Sequence, residues 1–134
     1  MVEQIVDFIN GQWTDTRSAS RLNVVNPALA KPIGEVMLTP KEVVAQAVEA
    51  AHKAYLEWRR VPVGERIQPL YRLKTLLEAN IEDIARIITN ECGKTYDEAI
   101  AEMRRGIENV EVAAGMPSLI QGYNNEDIAS GIDE

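Results

Sequence analysis

The stretch Leu38-Thr39-Pro40-Lys41-Glu42-Val43-Val44 is where the hydrophobic period of the chain changes from that of a strand to that of a helix. Thr39 has the hydroxyl of an N-cap. Pro40 suits a first helical position because it has no N–H to leave unsatisfied, and Glu42 completes a capping box. Leu38 and Val43 stand where a hydrophobic staple would form. Beyond them Val44, Val48, Ala51, Tyr55 and Trp58 recur at spacings of three and four. They predict one apolar stripe on a helix that ends near Arg60, before Pro62.

Upstream of this point the chain reads as strands and turns. Asp7-Phe8-Ile9 and Gln12-Trp13-Thr14 flank Asn10-Gly11, and Asn-Gly favours a tight hairpin because both turn positions need positive φ. Extended runs follow over 21–25, stopped by Asn26-Pro27, and over 33–38, after Pro32. The expectation is one small antiparallel sheet.

Downstream the helical period continues. A second helix is expected over 63–79 with Ile67, Leu70, Leu73 and Leu77 inward, and Pro69 must either start or kink it. Asn80 with Asp83 suggests a new cap. Ile81, Ile84, Ala85 and Ile88 mark a third helix, stopped by Gly93. Thr95 with Glu98 repeats the capping box before a fourth helix faced by Ile100, Met103, Ile107, Val110 and Ala114. That helix should stop between 117 and 122. The acidic tail, 123–134, offers only Ile128 and Ile132 to a core.

Composition narrows the function classes. Of the 134 residues, 46% are hydrophobic, 26% charged and only 5% aromatic, which fits a soluble globular domain with an aliphatic core. The net charge of −7 argues against nucleic acid and against an anionic membrane surface, both of which require clustered Lys and Arg. Cys92 is the only cysteine, so an intrachain disulfide and a Cys-rich zinc site are excluded. No segment has the pattern of a signal peptide or the roughly 20 apolar residues of a membrane span, so the cytoplasm is the expected compartment.

Four features invite a chemical reading. A nucleophilic thiol needs a helix N-terminus or a neighbouring base to lower its pKa, whereas Cys92 falls at a predicted helix C-terminus. A packed or idle cysteine is expected. His52, the single histidine, has no serine or cysteine at a spacing that would couple to it, and a surface or groove position is expected. Gly93-Lys94-Thr95 looks like the end of a phosphate-binding loop. That motif needs a glycine five positions earlier, where Ile88 stands, and a preceding strand. The carboxylates Asp97, Glu98, Glu102, Glu108 and Glu111 interleave with Arg104 and Arg105, as on a solvated helix face. No G-x-G-x-x-G occurs. Local chemistry therefore assigns no catalytic, cofactor-binding or metal residue.

The order of these features nevertheless resembles a known family. Asp7-Phe8-Ile9-Asn10-Gly11-Gln12-Trp13 is similar to the opening of aldehyde dehydrogenases. So are Val24-Val25-Asn26-Pro27 and Ile33-Gly34-Glu35-Val36, then Tyr55-Leu56-Glu57-Trp58, Glu65-Arg66 and Leu76-Leu77-Glu78. The signature segment is Glu91-Cys92-Gly93-Lys94-Thr95, followed by Glu98-Ala99 and Glu102. Within the family, the stretch Arg105-Gly106-Ile107-Glu108-Asn109-Val110-Glu111, with Pro117-Ser118 and Gly122, most resembles methylmalonate-semialdehyde dehydrogenases.

The resemblance implies an α/β fold of which this chain is the N-terminal portion: a small antiparallel sheet, about four helices and a C-terminal strand. It implies a hairpin region over 1–38, a helical part flanking the NAD-binding domain over 39–122, and the start of an oligomerisation strand over 123–134. It further implies an NAD-dependent oxidoreductase that forms a cysteine thioester, passes the acyl group to coenzyme A and works as a homo-oligomer. The family's catalytic cysteine, general-base glutamate, oxyanion asparagine and nucleotide-contacting loops come later in its chain, and Cys92 does not match that cysteine. No catalytic or cofactor role is carried over to any residue here. Alone, the chain is expected to be inactive and to bury its open apolar faces by self-association or helix rearrangement. The competing expectation is a free-standing, non-catalytic helical interaction module.

Overall fold

The computed structural model describes residues 3–15, 20–120, 122 and 123. Five short strands come first: β1 (Glu3–Ile5), β2 (Asp7–Ile9), β3 (Gln12–Thr14), β4 (Arg21–Asn26) and β5 (Lys31–Met37). Helices follow: α1 (Lys41–Trp58), α2 (Val63–Arg66), α3 (Gln68–Ala79), α4 (Ile81–Cys92), α5 (Tyr96–Ala114) and the short α6 (Met116–Ile120). The strand expected over 123–134 lies outside the described residues apart from Tyr123.

The single antiparallel sheet expected from sequence is instead two sheets. β2 and β3 form the Asn10-Gly11 hairpin by themselves, with φ of 50° and 76° at the turn, as a type I′ connection requires. β4 and β5 pair antiparallel, with a bulge between Val24 and Val25. β1 then adds to the far edge of β5 in parallel, Glu3 opposite Gly34. A three-residue strand shows no alternation to read, and a parallel neighbour depends on a distant segment rather than on a local turn. Gly34 lies at that junction, where a Cβ would sit at an ordinary contact distance of 3.5 Å from both Ile5 Cδ1 and Val24 Cβ.

The helix starts divide into two kinds. At α5 the capping box forms as expected. The Glu98 N–H donates to Thr95 Oγ1 at 3.3 Å, and the Thr95 N–H donates to Glu98 Oε2 at 3.0 Å. At α1 it does not form: Pro40 occupies the cap position with no side-chain cap. The Thr39 hydroxyl donates instead to Asp7 Oδ2 at 2.7 Å, tying the hairpin to the helix entry. Asn80 also departs from expectation, because its Nδ2 donates back to the Leu76 carbonyl at 2.7 Å and closes α3 rather than capping α4. The helix expected over 63–79 breaks at Ile67, so that Pro69 falls in the first turn of α3, where its missing N–H is harmless.

The core lies where α3 and α4 pack on α5 and where α4 meets β4. Its buried members are mostly small: Ala85, Ala99 and Ala114, with Ile107 and Met37. Alanines at helix crossings allow the backbones to approach closely. Lys74 of α3 reaches Glu111 of α5 at 2.9 Å as well as Glu78 at 3.3 Å. The hydrogen bond to Glu111, then that to Glu78, raises the Lys74 ammonium above its ordinary value.

Candidate functional site

Two of the features singled out in the sequence, Cys92 and Gly93-Lys94-Thr95, lie together at the junction of α4 and α5, and its geometry is structural. Cys92 is the last residue of α4 and is exposed, so it is not the packed thiol that was one expectation for it. Gly93 follows in the left-handed conformation, φ 72°, and its N–H donates to the Thr89 carbonyl at 3.0 Å. A Cβ on Gly93 would lie 2.8 Å from Pro27 Cγ. The turn between β4 and β5 is thus pressed against the end of α4.

That turn is itself fixed by a buried side chain. Asn26 Oδ1 accepts from the Ala28 N–H at 3.0 Å and the Leu29 N–H at 3.1 Å, which presents Pro27 to Gly93. Two motifs some 65 residues apart, Asn26-Pro27 and Glu91-Cys92-Gly93-Lys94-Thr95, are therefore halves of one contact. Sequence alone named both motifs but gave no signal that they meet.

The polar groups of the junction are already paired. Lys94 Nζ forms an ion pair with Glu102 in the second turn of α5, and that hydrogen bond raises the Lys94 ammonium above its ordinary value. Glu98 is held below the usual carboxylate range, first by the Thr95 backbone N–H and then by the Thr95 hydroxyl. The Lys94 ammonium and the N–H and hydroxyl of Thr95 thus serve the chain's own carboxylates.

The remaining candidates lie apart from it. His52 stands exposed on α1, its ring 6.3 Å from that of Tyr55. Among the described residues no three His, Cys, Asp or Glu side chains are grouped to hold a metal ion. A cleft of about 380 Å³ between the three-stranded sheet and α4 is lined by Ile5, Val24, Ile33, Gly34, Ile87, Asn90 and Glu91. It has no nucleophile and no base paired to one. No helix among the described residues is long and apolar enough to cross a membrane.

Comparison with known proteins gives this scaffold a context. The family model described as "Aldehyde dehydrogenase family" matches residues 13–132. Malonate-semialdehyde dehydrogenase 1 of Bacillus thuringiensis is 46% identical over 132 residues, 98% of this chain and 27% of that protein. Among solved structures, methylmalonate-semialdehyde dehydrogenase (DddC) of Oceanimonas doudoroffii superposes with a TM-score of 0.87 at 38% identity, over 99% of this chain and 27% of its own. A Sinorhizobium meliloti protein described as a methylmalonate-semialdehyde dehydrogenase, solved in complex with NAD, superposes with a TM-score of 0.88 at 31% identity over the same shares. The chain spans about a quarter of the length of the relatives it matches.

Proposed function

Because the chain belongs to the aldehyde dehydrogenase family, we propose that it is the N-terminal portion of an NAD-dependent enzyme that oxidises malonate or methylmalonate semialdehyde through a cysteine thioester. The acyl group passes to coenzyme A, and the enzyme is a cytoplasmic homo-oligomer. In this reading residues 1–38 form the entry hairpin region, 39–122 flank the NAD-binding domain, and 123–134 begin a strand used in oligomerisation. Catalysis and NAD binding belong to polypeptide other than these 134 residues, and no residue here carries either.

The observation that supports this reading best is continuity. Identity of 46% runs across 98% of the chain, from the hairpin through α5, so the likeness covers every part of the scaffold. The paired state of Lys94, Thr95 and Glu98 agrees with a structural role for the signature segment.

The test is to read the source gene beyond the codon for Glu134 and to assay the product. An open frame whose protein forms NADH with methylmalonate semialdehyde, while the 134-residue chain forms none, is the expected result. An immediate stop codon would favour the interaction module. Aldehyde-dependent NADH formation by the verified 134-residue chain would overturn the assignment of catalysis to other polypeptide.

A further inference from the structure

Asn10 is the only asparagine of the chain that is followed by glycine, and the fold presents that pair at the tip of the β2–β3 hairpin. Both residues are exposed, with φ of 50° and 76°. Succinimide formation joins an asparagine side chain to the next backbone nitrogen, so it is fastest where no side chain crowds that nitrogen. At Gly11 even an added Cβ would meet nothing within 4 Å. The Gly11 N–H lies in the turn, outside the ladder that begins with Ile9 opposite Gln12.

We propose that Asn10 is a site of spontaneous deamidation and isomerisation, so that the hairpin tip is where this chain first changes covalently as it ages. The Gly11 nitrogen gives up its proton to hydroxide and bonds to Asn10 Cγ. The Cγ–Nδ2 bond breaks, Nδ2 leaves as ammonia, and a cyclic succinimide remains. Water then opens the ring. Attack at Cγ gives aspartate with the chain path unaltered. Attack at the backbone carbonyl carbon of residue 10 gives isoaspartate, in which the chain runs through Cβ and Cγ. No oxidant or reductant takes part.

Ring closure needs a backbone geometry outside the type I′ turn, so the turn must first open. That opening is easy here. β2 and β3 have three residues each and make a sheet by themselves, and an isolated two-stranded hairpin is marginally stable at best. The other described asparagines are held differently. Asn26 precedes Pro27, and its carboxamide oxygen already accepts two N–H groups. Asn80 precedes the branched Ile81 and donates to the Leu76 carbonyl at 2.7 Å. Asn23 lies within β4, Asn90 within α4 and Asn109 within α5.

The products alter the hairpin. Asn10 lines a groove with Gln46, Glu49, Lys53 and Glu57 of α1, where Lys53 is already 3.5 Å from Glu49. A carboxylate at position 10 adds negative charge beside Glu49 and Glu57. Isoaspartate also lengthens the turn by one backbone carbon. Ile9 then loses its register with Gln12, and the Phe8–Trp13 ring pair, 4.9 Å between centroids, loses the turn that aligns it.

The test incubates the 134-residue chain in mildly alkaline buffer at physiological temperature and maps the tryptic peptide that ends at Arg17, in which Asn10 is the only asparagine. Fragment ions should place an amide-to-acid mass change at residue 10. Conversion there should be about ten-fold faster than at Asn23, Asn80, Asn90 or Asn109, because the hairpin opens more readily than the elements that hold those residues. A methyltransferase specific for isoaspartyl carboxylates, supplied with labelled S-adenosylmethionine, should label the aged chain and leave the aged Asn10→Gln variant at background. An unaltered Asn10 overturns the proposal. So does conversion no faster than at those four asparagines, or equal labelling of the variant.

Discussion

Helices α1 and α5 have nearly the same length, 18 and 19 residues, and each carries apolar side chains at spacings of three and four. In α5 the stripe is covered: Ile107 and Ala114 are buried, and Ile100, Met103 and Val110 are half-buried against α3 and α4. In α1 the equivalent stripe faces solvent, and the small residues Ala47 and Ala50 are turned toward the hairpin instead. Amphipathicity thus states that a helix needs a partner without saying where the partner is. One helix is part of a core; the stripe of the other is exposed.

The largest expected effect separates the two directly. Ile107→Ala should cost about 3 kcal/mol in urea denaturation, since it opens a cavity under α3 and α4. Val48→Ala should stay within about 0.5 kcal/mol, as an exposed substitution does. Equal losses at the two sites would erase the distinction.

Next comes the junction that locks α4 to the sheet. Gly93→Ala should cost about 2 kcal/mol in thermal denaturation, combining the left-handed backbone with the Cβ that meets Pro27. A loss below about 0.5 kcal/mol would mean that the Pro27 contact yields freely.

The two helix starts provide a smaller contrast. Thr95→Ala should cost about 1 kcal/mol by removing the cap of α5. Thr39→Ala should leave the hydrogen-exchange protection of α1 unchanged and loosen the hairpin, because Thr39 holds Asp7 and caps nothing. Faster exchange in the first turn of α1 would restore the capping role read from sequence.

The smallest effect is one of pH. The folded state favours the Glu98 carboxylate, so its contribution is fully present above the ordinary glutamate pKa of about 4.3. It fades as pH falls through the lower value that Glu98 has in the fold. Glu98→Gln should flatten the acid limb of a stability–pH curve between those two values, and an unchanged limb would show that the pairing with Thr95 is not maintained in solution.

Much of the local structure could be read from residues that act on their neighbours. Asn10-Gly11 specifies a turn because both residues tolerate positive φ. Gly93 stops a helix because it adopts φ 72° without strain, and Thr95 with Glu98 starts the next because each satisfies the other's backbone. At the candidate site the same residues were legible one by one. That Lys94 pairs with Glu102 and that Pro27 fills the space beside Gly93 were not, since each depends on how one element is placed against another. Thr39 and Asn80 show the reverse failure. Each has a side chain able to cap, and each found a different acceptor once Asp7 or the end of α3 came within reach.

By itself, then, the order of residues determined the hairpin, the positions of the four long helices, their apolar faces and the family to which they belong. These follow from dihedral preferences and hydrogen bonds spanning a few residues, and from motifs kept in register along the chain. The tertiary structure alone decided that β1 joins β5 in parallel, that the Asn26-Pro27 turn abuts Gly93, and that α5 is covered while α1 is not. Those outcomes rest on contacts between segments far apart in sequence, where the gain from burial depends on which surfaces can meet rather than on how apolar each one is.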